Sequence, residues 1–163
     1  MTTPAPTTGA FACAVLLAAC GYTAGSGLHE RGIRTVQVLA VGNDTYRQRL
    51  EEELGAEVSR SLARTDLLPG DSSSDAVLEL RIVDERERTL VTGDRTVPVR
   101  EGAQEVLVQV RLRDRRSGRL VVDRTVTDRA EFRDPIGENL TTARQQLVRD
   151  LASKIVLALE TGF

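Results

Sequence analysis

Residues 105–114 read EVLVQVRLRD. Val106, Val108, Val110 and Leu112 alternate with Leu107, Gln109, Arg111 and Arg113, the period-two pattern of a strand with one face on a core and the other in water. Arg115-Arg116-Ser117-Gly118 supplies a hairpin turn, so residues 120–132 return as the antiparallel partner. Toward the N-terminus, Ala76 to Asp84 repeats the alternation, with Leu78, Leu80 and Ile82 on one side and Glu79, Arg81 and Val83 on the other. Between these strands, Asp84 to Arg88 runs on through Thr89-Leu90-Val91 into a loop, Thr92-Gly93-Asp94-Arg95, and Val97-Pro98-Val99-Arg100 leads into the next strand. Earlier still, IRTVQVLAV at 33–41 is β-branched and ends at Gly42-Asn43-Asp44, a turn and helix N-cap.

Two segments carry the other period. From Tyr46, Leu50, Leu54, Val58 and Leu62 recur every four positions among Arg, Gln and Glu, which predicts an amphipathic helix of about five turns. Gly55 inside it costs ~1 kcal/mol relative to Ala. Asp134-Pro135-Ile136-Gly137 breaks the last strand, and from Glu138 to Thr161 the residues Leu140, Leu147, Val148, Leu151, Ile155, Ala158 and Leu159 form one stripe of a closing helix. Leu67-Leu68-Pro69 and the loop after it read as an interruption. The order strand, helix, three strands, helix predicts an α+β fold: a two-layer sandwich with a four-stranded, mostly antiparallel sheet and both helices on one face.

At 163 residues the chain makes one modest domain. With 22 basic residues against 24 acidic ones, it has no global attraction for nucleic acid. Cys13 and Cys20 both lie before residue 21, so the body of the protein holds no thiol for a disulfide, a zinc ribbon or a cysteine nucleophile. The only histidine, His29, sits in a Gly-rich segment and reads as an exposed loop residue. No P-loop, GxGxxG, HExxH, nucleophile elbow or EF-hand spacing occurs. Glu51-Glu52-Glu53 lies at the start of a helix, where negative charge suits the dipole. Catalysis, a metal centre and a cofactor therefore have no support in the sequence.

Residues 1–19 read MTTPAPTTGAFACAVLLAA. The apolar run from Ala10 to Ala19 is too short for a bilayer-spanning helix, which needs ~20 residues, and matches the ~7–15 of a secretory signal. Leu17-Ala18-Ala19-Cys20 resembles a bacterial lipobox, in which small residues precede the thiol that is acylated before cleavage. A plain secretory peptide or a buried apolar strand is the alternative. On the lipobox reading residues 1–19 are removed, Cys20 carries the lipid, residues 20–32 are a Gly-rich tether and residues 33–163 fold. Two or three acyl chains at ~0.8 kcal/mol per buried CH₂ hold such a protein stably on a membrane. Gly21 resembles the second residue of lipoproteins sent to the outer membrane.

Of the 22 basic residues 21 are Arg, and thirteen of those fall between Arg81 and Arg133 beside ten Asp or Glu. Arginine suits bidentate contact with phosphate or carboxylate, although an interspersed solvated face has the same composition. If the stretch holds an anion site, Arg95 and Arg100 in the central loop and Arg111 and Arg113 on the wet strand face are its candidates.

The whole pattern resembles the LptE family of lipopolysaccharide-assembly lipoproteins. The features that carry the likeness are Cys20-Gly21-Tyr22 with its tether, IRTVQVLAV followed by Asn43, the helix around RQRLEEELGAEVSRSL, the strands DAVLELRI and QEVLVQVRL, and EFRDPIGEN opening the last helix. The resemblance implies a non-enzymatic protein on the periplasmic side of the outer membrane. Such a protein sits in the lumen of an LptD-like β-barrel, helps it assemble and contacts lipopolysaccharide. It implies a basic contact at Arg100 in VREG, while Gly137 and Glu138 stand where a second basic position is found in the family. The alternative is an outer-membrane lipoprotein of the curli-secretion or TolB N-terminal type, which would continue after the first helix into further alternating units.

Overall fold

The computed structural model describes residues 27–46, 49–93, 100–134 and 139–161. In chain order the elements are α1 (Gly27–Glu30), β1 (Thr35–Asn43), α2 (Leu50–Leu62), β2 (Leu68–Pro69), β3 (Ala76–Thr92), β4 (Arg100–Asp114), β5 (Leu120–Asp134) and α3 (Leu140–Glu160). The expected α+β sandwich with one sheet is present. The sheet has five strands rather than four, in the order β2-β1-β3-β4-β5.

β3, β4 and β5 form the antiparallel meander expected from their alternation. β1 runs parallel to β3, which requires a crossover, and α2 supplies it. The strand that escaped the sequence reading is β2, two residues paired parallel to Thr35 and Val36. Pro69 disguises it, yet the pairing tolerates a proline there. Leu68 N–H donates to Arg34 O at 2.9 Å and Gly70 N–H to Val36 O at 2.9 Å, so the missing Pro69 donor falls on the side away from β1.

The core lies between the helices and one sheet face. Leu78, Leu80 and Ile82 of β3 and Val106, Val108, Val110 and Leu112 of β4 meet Leu54, Val58 and Leu62 of α2 and Leu147, Leu151, Ile155 and Leu159 of α3. Both helices also pack against each other. Farther along β4 the row ends at Gly102, opposite Phe132 of β5. A Cβ on Gly102 would lie 2.4 Å from the Phe132 ring, so the glycine is what lets that ring lie on the sheet.

Four local readings differ from the structure. Gly27–Glu30, inside the stretch expected to be a tether, is a helical turn whose Leu28 is fully buried in the core. His29 is half-buried there rather than in an exposed loop, with Nε2 3.1 Å from the Asp66 carbonyl. The first long helix begins at Leu50, after Arg49 in the left-handed region at φ 73, and Tyr46 is fully exposed before it. Asn43 does not cap that helix: its Oδ1 accepts from Thr45 N–H at 2.9 Å, and its amide donates to Glu51 at 2.7 Å. An Asx turn thus competed with the cap that the sequence suggested.

Asp75, just before β3, ties the start of β1 to the sheet. Its Oδ2 accepts from Arg34 N–H, Thr35 N–H and Thr35 Oγ1 at 3.0, 3.0 and 2.9 Å. The two backbone donors and then the hydroxyl hold this carboxyl below its ordinary range. A depressed folded-state value stabilises the fold above the unfolded value near 3.9, and the contribution is lost as pH falls through the folded value. Urea unfolding at pH 5 and pH 3 is therefore expected to show a smaller acid loss in Asp75→Asn than in the unsubstituted chain; an equal loss would remove Asp75 from that role.

Candidate functional site

The sheet face turned away from the helices carries the polar half of every alternation. On β4 it presents Gln109, Arg111 and Arg113, with Glu79 of β3 and Asp123 of β5 directly beside Arg111 in the ladder. Arg111 Nε lies 3.5 Å from Asp123, both side chains being about half exposed, and Gln109 donates to the same carboxylate at 3.4 Å. Arg113 Nη1 donates to the Gly118 carbonyl at 3.0 Å, bracing the β4–β5 turn.

Across the rest of this face the arginines alternate with carboxylates. Arg81 makes a two-pronged contact with Asp44 at 2.8 and 3.0 Å, Arg86 meets Asp84 at 2.6 Å, Arg129 meets Glu131 at 2.5 Å and Arg133 meets Glu101 at 3.0 Å. The Arg81 hydrogen bond lowers the Asp44 pKa and the same bond raises that of Arg81, as expected of a geometrically matched pair. Pairs this exposed contribute ~0–1 kcal/mol each to stability. Their larger effect is electrical: a lattice of compensated charges holds water without focusing a field on one anion.

The four arginines singled out in the sequence do not form one site. Arg111 and Arg113 are neighbours on one face near the β4–β5 turn. Arg100 opens β4 at the other end, opposite Thr92 and Asp134, eleven residues or ~36 Å from Arg111. Arg95 and Cys20, like the signal segment, lie outside the described residues, as does the Arg100 side chain. Beyond Glu85, β3 runs on toward the β3–β4 connection. Its residues 86–92 are exposed, Leu90 and Val91 included.

A groove without any signal in the sequence runs between α2 and α3. It encloses about 740 Å³ over Ala56, Leu140 and Val148, with Arg144–Glu53 at 3.2 Å and Arg60–Glu57 paired along its walls. It arises because two amphipathic helices touch along their inner stripes and diverge at their charged flanks. Among the described residues no group of three or more His, Cys, Asp or Glu is placed to hold a metal. No helix among them is long and apolar enough to cross a membrane.

Three solved structures share the fold at low identity. A minor lipoprotein from Acinetobacter baumannii is 14% identical, covers 80% of this chain and 95% of its own, and superposes with a TM-score of 0.54. A hypothetical protein from Chlamydia trachomatis is 15% identical over 77% of this chain and 95% of its own, TM-score 0.58. The dodecameric PelC of Paraburkholderia phytofirmans is 18% identical over 78% and 86%, TM-score 0.56. At these identities the likeness speaks for the fold alone. No curated protein matches the chain. The model of the LptE lipopolysaccharide-assembly family matches residues 33–159, from the residue before Arg34 and β1 almost to the end of α3. The match takes in every long element of the sandwich, and the chain belongs to the LptE family.

Proposed function

We propose that this protein is an outer-membrane lipoprotein, acylated at Cys20 after loss of residues 1–19, that fills the lumen of an LptD-like β-barrel and assists lipopolysaccharide on its way to the outer leaflet. Family membership supports the lipopolysaccharide-assembly role. The observation that carries the plug reading is the uncovered sheet face, a broad polar wall whose arginines are matched by Asp44, Asp84, Glu101, Asp123 and Glu131. A hydrated barrel lumen is polar, and a plug must meet it with many weak, wet contacts rather than one apolar patch. The opposite layer is also polar outward, with the Arg144–Glu53 and Arg60–Glu57 pairs on the helices. A protein with charge on both layers suits enclosure.

Lipopolysaccharide contact is assigned to the far end of the β3–β4 hairpin. Arg95 lies between β3 and β4 in the sequence and Arg100 opens β4, and β3 alone, at 17 residues, spans ~55 Å. That length exceeds the 40–45 Å of a bilayer with its headgroups. Arg111 is less suited to a phosphate, being already shared with Asp123. No enzymatic step is included.

Mild-detergent purification of the tagged protein from its own outer membrane is expected to recover a large β-barrel in near one-to-one ratio. Recovery of self-oligomers or peptidoglycan-associated proteins without a barrel would contradict the plug reading. Replacing Arg95 and Arg100 together by Ala is expected to weaken lipopolysaccharide binding about tenfold or more, since charge-assisted contacts contribute ~1.5–3 kcal/mol each. Arg111→Ala should change it by less than about threefold; unchanged binding in the double variant would overturn the assignment.

A further inference from the structure

One end of the sandwich collects the strand starts of β1 and β3, the C-terminal end of α2 and the β4–β5 turn. Arg115 N–H donates to Asp75 O at 2.8 Å, and Asp75 in turn holds Arg34 and Thr35. Leu68 N–H on Arg34 O brings the segment after α2 to the same place. Arg31, Gly32 and Ile33 line a small cleft with Asp75, Asp114, Arg115 and Arg116, so the chain enters the fold beside that turn.

The entry is fixed, because Leu28 is fully buried and Ile33 is 2% exposed. Six residues separate Gly27 from Cys20. Even fully extended, the chain between them spans no more than about 25 Å. An acyl anchor on Cys20 therefore holds this end, and no other, close to the headgroups of the leaflet it occupies.

The chemistry of the end fits such a surface. Arg34, Arg64, Arg115, Arg116 and Arg119 are all exposed there. Among the described residues no carboxylate comes within ion-pair distance of the Arg34, Arg64, Arg116 or Arg119 side chains, unlike the arginines of the sheet face. The acids nearby are charged and hydrogen-bonded to loop and strand-start donors, which hold Asp71, Asp75 and Asp114 below the ordinary carboxylate range. Asp71 accepts from Ser73 N–H and Oγ, Asp75 from Arg34 and Thr35, and Asp114 from Arg116 N–H and Ser117 N–H. Glu30, Asp66 and Asp71 are exposed. The turn between β4 and β5, Arg115-Arg116-Ser117-Gly118-Arg119, thus presents Arg116 and Arg119 as exposed cations, while Arg115 Nη2 donates back to Gln37 of β1 at 2.6 Å. Gly118, at φ 69, makes the reversal.

We infer that this end of the molecule, led by Arg116 and Arg119, is a phospholipid-headgroup surface that rests on the anionic leaflet carrying the Cys20 lipid. The inference builds on the anchored reading of Cys20, because the short tether is what sets the orientation. It assigns the two ends of the sandwich opposite duties: the arginine turn sits at the anchoring leaflet, and the β3–β4 hairpin points away from it.

The test uses the chain from residue 20 onward with Cys20→Ala, which has no acyl chain and keeps every described core side chain from Leu28 to Leu159. Flotation with vesicles of phosphatidylglycerol and phosphatidylethanolamine is expected to show binding that falls when salt rises from 50 to 300 mM, on the order expected of screened surface charge. Vesicles of phosphatidylcholine alone should not bind. Arg116→Ala with Arg119→Ala is expected to weaken binding about twenty-fivefold, at roughly fivefold per guanidinium. The control pair Arg144→Ala with Arg149→Ala, on α3, removes the same charge and should leave binding within about twofold. Equal binding to phosphatidylcholine, or equal loss in both pairs, overturns the inference. The mass of the membrane-extracted native protein reads Cys20 acylation separately, so a failed anchor and a failed surface give different results.

Discussion

The strand from Arg100 to Asp114 is bonded along both edges, to β3 on one side and β5 on the other. That double ladder is the constraint on which the rest depends. With both edges satisfied, the strand has only its two faces left to offer, and its alternation sends Val106, Val108, Val110 and Leu112 to the core and Gln109, Arg111 and Arg113 to water. A one-residue slip would exchange the two sets, so the register is held by burial as well as by hydrogen bonds. The helices have one dry surface to cover, and they cover it together.

Function follows from what remains uncovered. A sheet with helices on one face alone keeps an open face, and here that face carries paired charges among scattered apolar side chains such as Leu39 and Val83. The pairing limits any single arginine as an anion hook, as the Arg111–Asp123 contact illustrates. The two ends of the sandwich break this neutrality in different ways. One carries the exposed end of β3, with Leu90 and Val91 among its exposed residues. The other ends in a tight turn where, among the described residues, Arg116 and Arg119 make no ion pair with a carboxylate. A polar wall between two specialised ends is the geometry expected of a component that stands within a larger assembly.

Much of this was legible in the sequence, and what was not has identifiable causes. The long strands and both long helices announce themselves through periods of two and about four, because each buries a continuous row. β2 is two residues long and contains Pro69, too short for any period to register. α1 is hidden by its glycines, and only the burial of Leu28 reveals that the turn belongs to the core. Asn43 reads as a cap by residue type, but its side chain is drawn into a turn with Thr45 and on to Glu51. The candidate arginines were recognisable as a class, yet sequence alone could not separate Arg100 from Arg111, since that distance depends on a single unbroken strand between them. Neither the ion pairing that occupies Arg111 nor the groove between α2 and α3 has a local signal; each comes from elements far apart in the chain.

The central claim, enclosure within a barrel, is tested most directly by photocrosslinking in the native outer membrane. A photoreactive residue is placed in turn at Gln109 on the sheet face and at Arg149 on the helix layer, two positions on opposite sides of the sandwich. Enclosure predicts that both positions crosslink to the same β-barrel. Crosslinks to a barrel from one side only, or to other copies of this chain from both, would contradict it.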